Sequence, residues 1–289
     1  MQRPELRPLG VGETVDVSLK LYLRHAATLL GIAAVMIIPV YIIFNLILIS
    51  MAPDDAIVRD GLILMPLQSD ADAFNRVLLG FVVISVLAAM LATGAAFKAV
   101  ADAYLGDKPS IGDSLRFAGS RLHSLIWLSI LYALLVIVGL VALIIPGIYL
   151  AVAFCVAVPA LILEGHKGSK ALGRSRDLVK DRWWPTLGAF ILGLVLIPIV
   201  VGVILGFVFE AAIPETESVT SFLALQATQE AIIDVFSAPL QAAVLTVIYF
   251  DLRVRKEGFD LQLLAERMGS TGPGSAGEPG PGQPPPPTA

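Results

Sequence analysis

Charged side chains are scarce in this chain, and cysteine is almost absent. Asp, Glu, Lys and Arg make up 15% of the 289 residues, whereas hydrophobic residues make up 56% and the mean hydropathy is +0.81. A soluble domain carries about 25% charged residues, so this composition excludes that class and indicates a chain embedded in lipid. The single cysteine, Cys155, excludes an intrachain disulfide and a multi-cysteine metal site.

Catalytic sequence patterns are missing as well. The three histidines, His25, His123 and His166, stand far apart, and none has a second ligand at the spacing of a His-Glu-x-x-His zinc motif. The sequence has no nucleophile elbow, no phosphate-binding loop and no nucleic-acid signature. We therefore name no catalytic, cofactor-binding or metal-binding residue and expect a protein that is not an enzyme.

The chain has long apolar runs instead. No side chain from Ser124 to Leu163 is charged, and as one helix this run would be about 60 Å long, twice the hydrocarbon thickness of a bilayer. Residues 124–164 are therefore predicted to form two spans that reverse at Pro146-Gly147, where the backbone favours a turn. Four more runs are long enough to cross: 26–51, 77–101, 185–209 and 231–250. The sequence predicts an all-α bundle of six transmembrane helices.

Lys and Arg gather on one side of these spans, which marks the cytoplasmic side. With the amino terminus inside, every Lys and Arg except Arg59 and Arg76 falls on the inner side. The two exceptions lie in an acidic outer loop, with Asp54, Asp55, Asp60, Asp70 and Asp72. We predict a multi-pass protein of the cell membrane with both termini in the cytoplasm.

A basic amphipathic segment followed by two spans recurs three times, which is a weak internal repeat. Ser18 and Leu30-Gly31 of the first copy correspond at a constant offset to Ser175 and Leu187-Gly188 of the third, and Ser114 marks the second, which aligns more loosely. In each copy the apolar side chains recur at helical spacing opposite a charged face. The sequence therefore predicts three amphipathic helices at the inner membrane interface.

Six basic residues precede the fifth predicted span: Lys167, Lys170, Arg174, Arg176, Lys180 and Arg182. One interpretation is attraction to anionic lipid head groups, which contributes about 1 kcal/mol for each charge. The other is a docking surface for a cytoplasmic partner or for one specific lipid. Both interpretations make these residues the candidate lipid or partner contact.

Ionisable residues within spans are the default candidates for function. Lys98 and Asp102 are four residues apart in the second predicted span, so they share a helix face and are a candidate intramembrane pair. Asp234 lies near the outer end of the last span, where it is expected to reach the interface or to bond a neighbour. Gly202 and Gly206 form a small-residue pair that is predicted to pack inside one bundle rather than to form a dimer.

Four regions follow from these patterns. Residues 1–25 are a cytoplasmic segment with the first amphipathic helix, and 26–252 form the membrane domain. Residues 253–268 are predicted to be a charged collar, in which Arg253 pairs with Glu257 before the helix stops at Gly258. Residues 269–289 are rich in Pro and Gly and are predicted to be a disordered tail.

Three segments carry a family resemblance. They are Pro146-Gly147-Ile148-Tyr149 with Val158-Pro159 and Leu163-Glu164-Gly165, then Arg174-Ser175-Arg176-Asp177-Leu178-Val179, and then Tyr249-Phe250-Asp251-Leu252-Arg253 through Asp260. Over roughly residues 10–265 the chain resembles the bacterial glycerophosphoryl diester phosphodiesterase membrane-domain family. In that family the membrane domain is fused to a soluble phosphodiesterase barrel or stands alone. The chain has no soluble region for a barrel, so the resemblance implies membrane embedding and carries over no catalytic residue.

We expect a non-enzymatic membrane scaffold or an accessory subunit for another envelope protein, in contact with anionic lipids and with no cofactor. The alternative is a transporter or channel for a small or lipidic solute, because prolines at 39, 159, 198 and 239 fall inside four spans and broken helices occur at transporter binding sites. A third interpretation is a membrane enzyme that uses interfacial histidine and carboxylate groups on lipid head groups.

Overall fold

The chain is almost entirely helical. The computed structural model describes residues 8–51, 57–59, 62–64, 71–166, 168–212 and 219–258. Its α-helices are α1 (Val11–Arg24), α2 (Ala26–Met51), α3 (Ala71–Leu105), α4 (Ile111–Ser120), α5 (Leu122–Ala142), α6 (Ile144–Ala153), α7 (Ala157–Glu164), α8 (Ser169–Val179), α9 (Trp183–Phe190), α10 (Ile197–Ala212) and α11 (Val219–Glu257). A 3-10 turn (Lys180–Arg182) and a π-helical turn (Ile191–Leu196) flank α9.

The expected all-α, six-span architecture is confirmed. In the described part of the chain, six helical segments are long and apolar enough to cross a membrane: Ala26–Ile47, Asn75–Leu105, Leu122–Ala142, Ile144–Glu164, Ser169–Phe209 and Ala224–Glu257. This is a multi-pass membrane protein. Two short strands that the sequence analysis missed, β1 (Ile57–Arg59) and β2 (Leu62–Leu64), pair antiparallel between α2 and α3, with Ile57 opposite Leu64.

The reversal between the third and fourth spans lies slightly before the predicted position. Leu143, in an extended conformation, separates α5 from α6, and Pro146 lies in the first turn of α6. Proline is tolerated there because the first backbone N–H groups of a helix have no intrahelical acceptor. Gly147 is needed for close packing of the hairpin, since a Cβ at this position would approach the backbone nitrogen of Leu140 to 2.7 Å.

The three amphipathic helices close a ring around the bundle. Each one packs against the last span of the preceding copy of the repeat: α4 on α3, α8 on α7, and α1 on α11. Neighbouring units of the ring meet at three close contacts. Ile111 packs against Gly31 of α2, Trp127 of α5 packs against Gly168, and Val11 packs against Gly188 of α9. The repeat seen in the sequence is therefore a cyclic arrangement of three units.

Each last span of the ring ends on a glycine in the left-handed conformation. The φ angles are 95° at Gly106, 73° at Gly165 and 59° at Gly258, after α3, α7 and α11 respectively. Side chains with a Cβ are strained in this conformation, and glycine is the usual residue after such a helix end. The predicted stop of the last helix before Gly258 is confirmed.

One serine of each amphipathic helix is buried against the bundle. Ser175 Oγ donates to the carbonyl of Ala153 at 2.9 Å, at a break in the fourth span between α6 and α7. Ser18 Oγ donates to the carbonyl of Thr14 at 2.7 Å. Ser114 Oγ has no hydrogen-bond partner among the described residues. The apolar faces of these helices therefore pack on protein, where the sequence suggested contact with lipid.

The spans differ in how their prolines are accommodated. Pro159 follows the break between α6 and α7, and Pro198 follows the π-helical turn, which is a common adjustment near a missing backbone donor. Pro39 and Pro239 instead lie inside the continuous helices α2 and α11. The expectation that proline interrupts four spans therefore holds for two of them.

The buried core lies toward the end of the bundle where α1, α4 and α8 join the carboxyl ends of α3, α7 and α11. We call this the basic end. Its largest fully buried side chains include Phe97, Tyr249 and Phe250. The hairpin of α5 and α6 is mostly exposed, with Val141 82% and Ile145 81% accessible. The basic end is thus where most of the buried core lies, and the rest of the spans present apolar side chains outward.

Candidate functional site at the basic end

Glu164, the last residue of α7, is at the centre of a network of charged side chains. Its carboxylate accepts a bidentate pair from Arg174 of α8, with Nε at 2.7 Å and Nη2 at 2.9 Å. The Tyr249 hydroxyl of α11 donates to Oε1 at 2.6 Å. His166 Nε2 lies 3.1 Å from Oε2. Glu164 therefore joins three helices through charge-assisted hydrogen bonds, which are the strong kind.

The network is closed by two residues from the end of α11. Glu257 Oε1 lies 2.5 Å from Arg174 Nη2, and Glu257 Oε2 accepts from Arg253 Nε at 3.0 Å. Arg253 Nη1 donates to the Tyr249 hydroxyl at 3.3 Å. We call Glu164, Arg174, Tyr249, Arg253 and Glu257 the ion cluster. Its two carboxylates face two guanidinium groups, so the formal charges balance, and its charged side chains are only 13–24% exposed.

A second set of bonds ties the chain before α1 to α11. Asp251 Oδ1 accepts from the backbone N–H of Leu9 at 2.7 Å, and Arg255 Nη2 donates to the Leu9 carbonyl at 2.6 Å. Arg255 Nε also lies 3.0 Å from both carboxylate oxygens of Asp251. Lys256 bonds the Asp177 carbonyl and lies 2.7 Å from Asp181 Oδ2. The start of α1 and the end of α8 are thus held to one turn of α11.

The structure separates the six basic residues that the sequence grouped together. Arg174 points into the ion cluster and is committed to Glu164 and Glu257. Lys170 and Arg176 are exposed, Lys180 is exposed within 3.9 Å of Asp177, and Arg182 is partly buried. Lys167 lies outside the described residues. The candidate contact surface is therefore smaller than predicted, because Arg174 serves the interior.

Lys98 and Asp102 form the pair that their spacing suggested. Lys98 Nζ lies 2.5 and 2.6 Å from the two carboxylate oxygens of Asp102, and both side chains are partly exposed. Two cations lie over the ring of Phe117 in α4, with Lys98 Nζ 5.7 Å and the Arg121 guanidinium 4.6 Å from its centre. Arg121 also donates to the Leu161 carbonyl at 2.9 Å, which caps the end of α7. The pair thus belongs to the packing of α4.

The structure shows the surroundings of some other residues of interest, whereas several predicted segments lie outside the described residues. Trp127 and Trp184 are exposed near the basic end, a position typical of aromatic side chains at a membrane interface, and Trp183 stacks on Tyr149 with ring centres 5.7 Å apart. A Cβ added at Gly202 would meet no atom within 4 Å, so the structure does not place this glycine in an intrabundle contact. The tail 269–289, the collar beyond Gly258 and most of the acidic loop lie outside the described residues.

Ionisable side chains at the basic end are largely bound to other groups of the protein, which limits the chemistry that they can carry out. Burial and the neighbouring charge of Arg24 lower the pKa of His25 below its ordinary value, so that imidazole is neutral at pH 7. In the described part of the chain, His166 reaches only Glu164, whose two oxygens already accept from Arg174 and Tyr249. Within the described residues no three His, Cys, Asp or Glu side chains are grouped to hold a metal ion. The arrangement is suited to fastening helices together.

A separate polar feature lies in the half of the bundle away from the basic end. Between α2, α3 and α11 is a cavity of about 200 Å³ whose polar lining is Tyr41, Ser85, Thr93, Asp234, Ser237 and Gln241. We call it the polar cavity. The Tyr41 hydroxyl donates to Asp234 Oδ2 at 2.8 Å. Tyr41 also lines an apolar groove of about 580 Å³ between α2 and α11.

Comparison of the chain with protein-family models, curated proteins and solved structures gives no match. The resemblance to the glycerophosphoryl diester phosphodiesterase membrane-domain family stays a prediction. The segments that carry it nevertheless meet in space, because Glu164, Arg174 and Tyr249 come from its three parts and bond one another. The sequence analysis missed the central place of Glu164. Its signal was a carboxylate placed directly before a helix-ending glycine, with arginines in the other two segments.

Proposed function

We propose that this chain is a non-enzymatic scaffold or accessory subunit of the bacterial plasma membrane, with the basic end and both termini in the cytoplasm. The observation that carries the proposal is the ion cluster. It fixes α7, α8 and α11 to one another, while the ring of contacts fixes α1 and α4. The polar faces of three helices are thereby held as one rigid surface.

The balance of charges in the ion cluster supports a static role. A general acid or base needs a proton acceptor or donor that is open to substrate and has a pKa near the working pH. Glu164 instead accepts from two donors on different helices through both oxygens, and Glu257 is bound to two arginines. Groups held in this way stabilise one arrangement of helices, which is what a docking platform requires.

The exposed basic residues supply the contact surface of the platform. Lys170 and Arg176 of α8 are both exposed, one turn before and about half a turn after the inward-facing Arg174. A positive surface of this kind attracts anionic head groups and acidic segments of partner proteins, and the attraction weakens as salt is added. We propose that this surface meets anionic lipid and an acidic face of another envelope protein.

Reversing the charge at Lys170 and Arg176 tests the proposal. We expect the full-length wild-type protein, crosslinked in native membranes and purified by affinity, to carry one membrane protein in a fixed stoichiometric ratio. The double variant Lys170→Glu, Arg176→Glu is expected to lose at least about nine-tenths of that partner, because each reversal replaces attraction by repulsion. Quantitative mass spectrometry of the eluate measures the ratio.

The matched control is Asp72→Lys, a charge reversal at an exposed residue of α3 far from the basic end. It is expected to retain the partner in full. Recovery of the same partner by the Lys170, Arg176 double variant would contradict the role of the basic surface. Repeated isolation of the wild-type chain with no partner would contradict the accessory role itself.

A carrier for a small solute is the second candidate, and the polar cavity is the observation that favours it. Polar side chains inside a membrane-spanning bundle are costly unless they serve a neighbour or a ligand. Asn45, in the turn beyond Tyr41, donates to the Tyr41 carbonyl at 3.0 Å and lines the apolar groove. Protein-dependent flux across reconstituted vesicles that is lost on altering Asn45 would favour the carrier over the scaffold.

A further inference from the structure

The polar cavity has one carboxylate and no cationic partner for it. Among the described residues that line the polar cavity or the apolar groove, none is Lys, Arg or His. Among the described residues, Asp234 receives one hydrogen bond, from the neutral Tyr41 hydroxyl. At about 1.5 Å per residue, Tyr41 lies about 22 Å along α2 from Ala26. Asp234 is an exposed residue in the outer part of its span, where an uncompensated negative charge within the membrane is still unfavourable.

Aromatic rings adjoin this carboxylate. The rings of Tyr41 and Phe81 meet edge to face with their centres 5.8 Å apart, and Phe44 stacks on Phe81 at 3.7 Å. Phe81 is one helical turn from Ser85, and Phe44 is one turn from Tyr41 and Val40, so both rings lie on the side of the cavity away from the basic end. A cation that enters from that side passes near these rings before it reaches Asp234.

A carboxylate combined with aromatic faces is the chemistry that recognises an ammonium group. Aromatic rings attract cations through their quadrupole, and quaternary ammonium ligands are bound in this way. Ser85, Thr93, Ser237 and Gln241 supply neutral hydrogen-bonding groups deeper in the cavity, which suit a hydroxyl or amine carried by the same ligand. An anion is disfavoured, because the lining offers it no positive charge.

We propose that the polar cavity binds an alkylammonium group, with Asp234 as its counter-ion and with Tyr41, Phe44 and Phe81 as the aromatic surface along its entry. The group has two sources, a free solute such as choline or the head group of a zwitterionic lipid. The site is independent of the ion cluster and of the scaffold role. A negative result for partner binding at the basic end therefore leaves ligand binding in the cavity untouched, and the reverse also holds.

Isothermal titration of the full-length protein in maltoside detergent tests the charge requirement. The probes are choline and its neutral isostere 3,3-dimethyl-1-butanol, which has the same shape without the charge. We expect choline to bind at least about tenfold more tightly than the isostere, because attraction to the Asp234 carboxylate and to aromatic rings requires the positive charge. Equal affinity for the two probes would overturn the proposal.

Variants assign the binding to the cavity. Asp234→Asn is expected to weaken choline binding by about tenfold or more, whereas Asp72→Asn, at an exposed carboxylate outside the cavity, is expected to leave it unchanged. Phe81→Leu retains the bond between Tyr41 and Asp234 and is expected to weaken choline about threefold through lost cation–π attraction. The Phe81→Leu variant still tests the proposal if Asp234→Asn fails to fold. Wild-type affinity for choline in both variants overturns the proposal.

Lipid analysis separates the two sources of the ligand. If the ligand is a head group, phosphatidylethanolamine or phosphatidylcholine is expected to co-purify with the wild-type protein and to be depleted from Asp234→Asn, while free choline binds weakly. If the ligand is a free solute, choline titrates and the retained lipids are the same in both proteins. Absence of choline binding together with identical retained lipids overturns the proposal.

Discussion

Replacing Arg174 by alanine is expected to lower the free energy of unfolding by about 2–3 kcal/mol. The substitution leaves the carboxylates of Glu164 and Glu257 facing each other with one guanidinium fewer between them. Removing one partner from a fully buried pair costs about 3–5 kcal/mol, and the partial exposure of these side chains reduces that cost. Thermal unfolding in detergent, followed by tryptophan fluorescence, measures the change.

The control for Arg174 is its neighbour on the outer face of α8. Arg176→Ala removes the same side chain two residues later, where it is exposed, and is expected to change the free energy of unfolding by less than about 0.5 kcal/mol. Arg174→Lys is expected to be intermediate, because an ammonium group cannot make the bidentate contact. Equal stability of Arg174→Ala and Arg176→Ala would show that the ion cluster does not hold the helices.

A second large effect is expected at Gly193 in the π-helical turn. A Cβ at this position would lie 2.6 Å from Cγ1 of Val244, a fully buried residue of α11. Gly193→Ala is therefore expected to destabilise the protein by about 1–3 kcal/mol, since a packed core accommodates an added methyl group only by strain. The loss should appear as a lower unfolding temperature in the same assay.

Gly202 provides a matched control on the same span. A Cβ there meets nothing within 4 Å, so Gly202→Ala is expected to be neutral or to stabilise the helix by up to about 1 kcal/mol. Destabilisation by Gly202→Ala equal to that by Gly193→Ala would contradict the packing of the fifth span. It would instead favour a close contact at Gly202 with a second chain.

The elements of the fold were predictable because lipid imposes simple rules on sequence. Helix α2 matches the predicted 26–51 run, since a bilayer demands a continuous apolar stretch and Arg24 and His25 precede it. The amphipathic helices were predictable from periodicity and from Ser18, Ser114 and Ser175. Periodicity does not say what an apolar face touches, however, and these faces pack on protein.

The candidate site was harder to predict because one of its elements is distant in the chain. Glu164 and Arg174 lie on consecutive helices, but Tyr249 comes 85 residues after Glu164, and the cyclic order of the three repeat units brings α11 to α7 and α8. The pair of Lys98 and Asp102 was accessible to sequence reasoning because a four-residue spacing on one helix is local. Closeness in sequence also led to the grouping of Arg174 with exposed basic residues, although the helix directs its side chain into the ion cluster.

Labelling of single cysteines in intact cells tests the central claim, a six-span bundle with its basic end in the cytoplasm. The natural Cys155 is buried and is first replaced by alanine. Asp72→Cys and Arg176→Cys then place one thiol at each end of the bundle, both at exposed positions. The reagent is a maleimide that does not cross membranes.

We predict that the thiol at position 72 is labelled in intact cells, whereas the thiol at position 176 is labelled only after the membrane is permeabilised. The reverse pattern would place the basic end outside and contradict the orientation and the cytoplasmic platform built on it. Labelling of both positions in intact cells would mean that they share one side of the membrane, which contradicts the six-span arrangement.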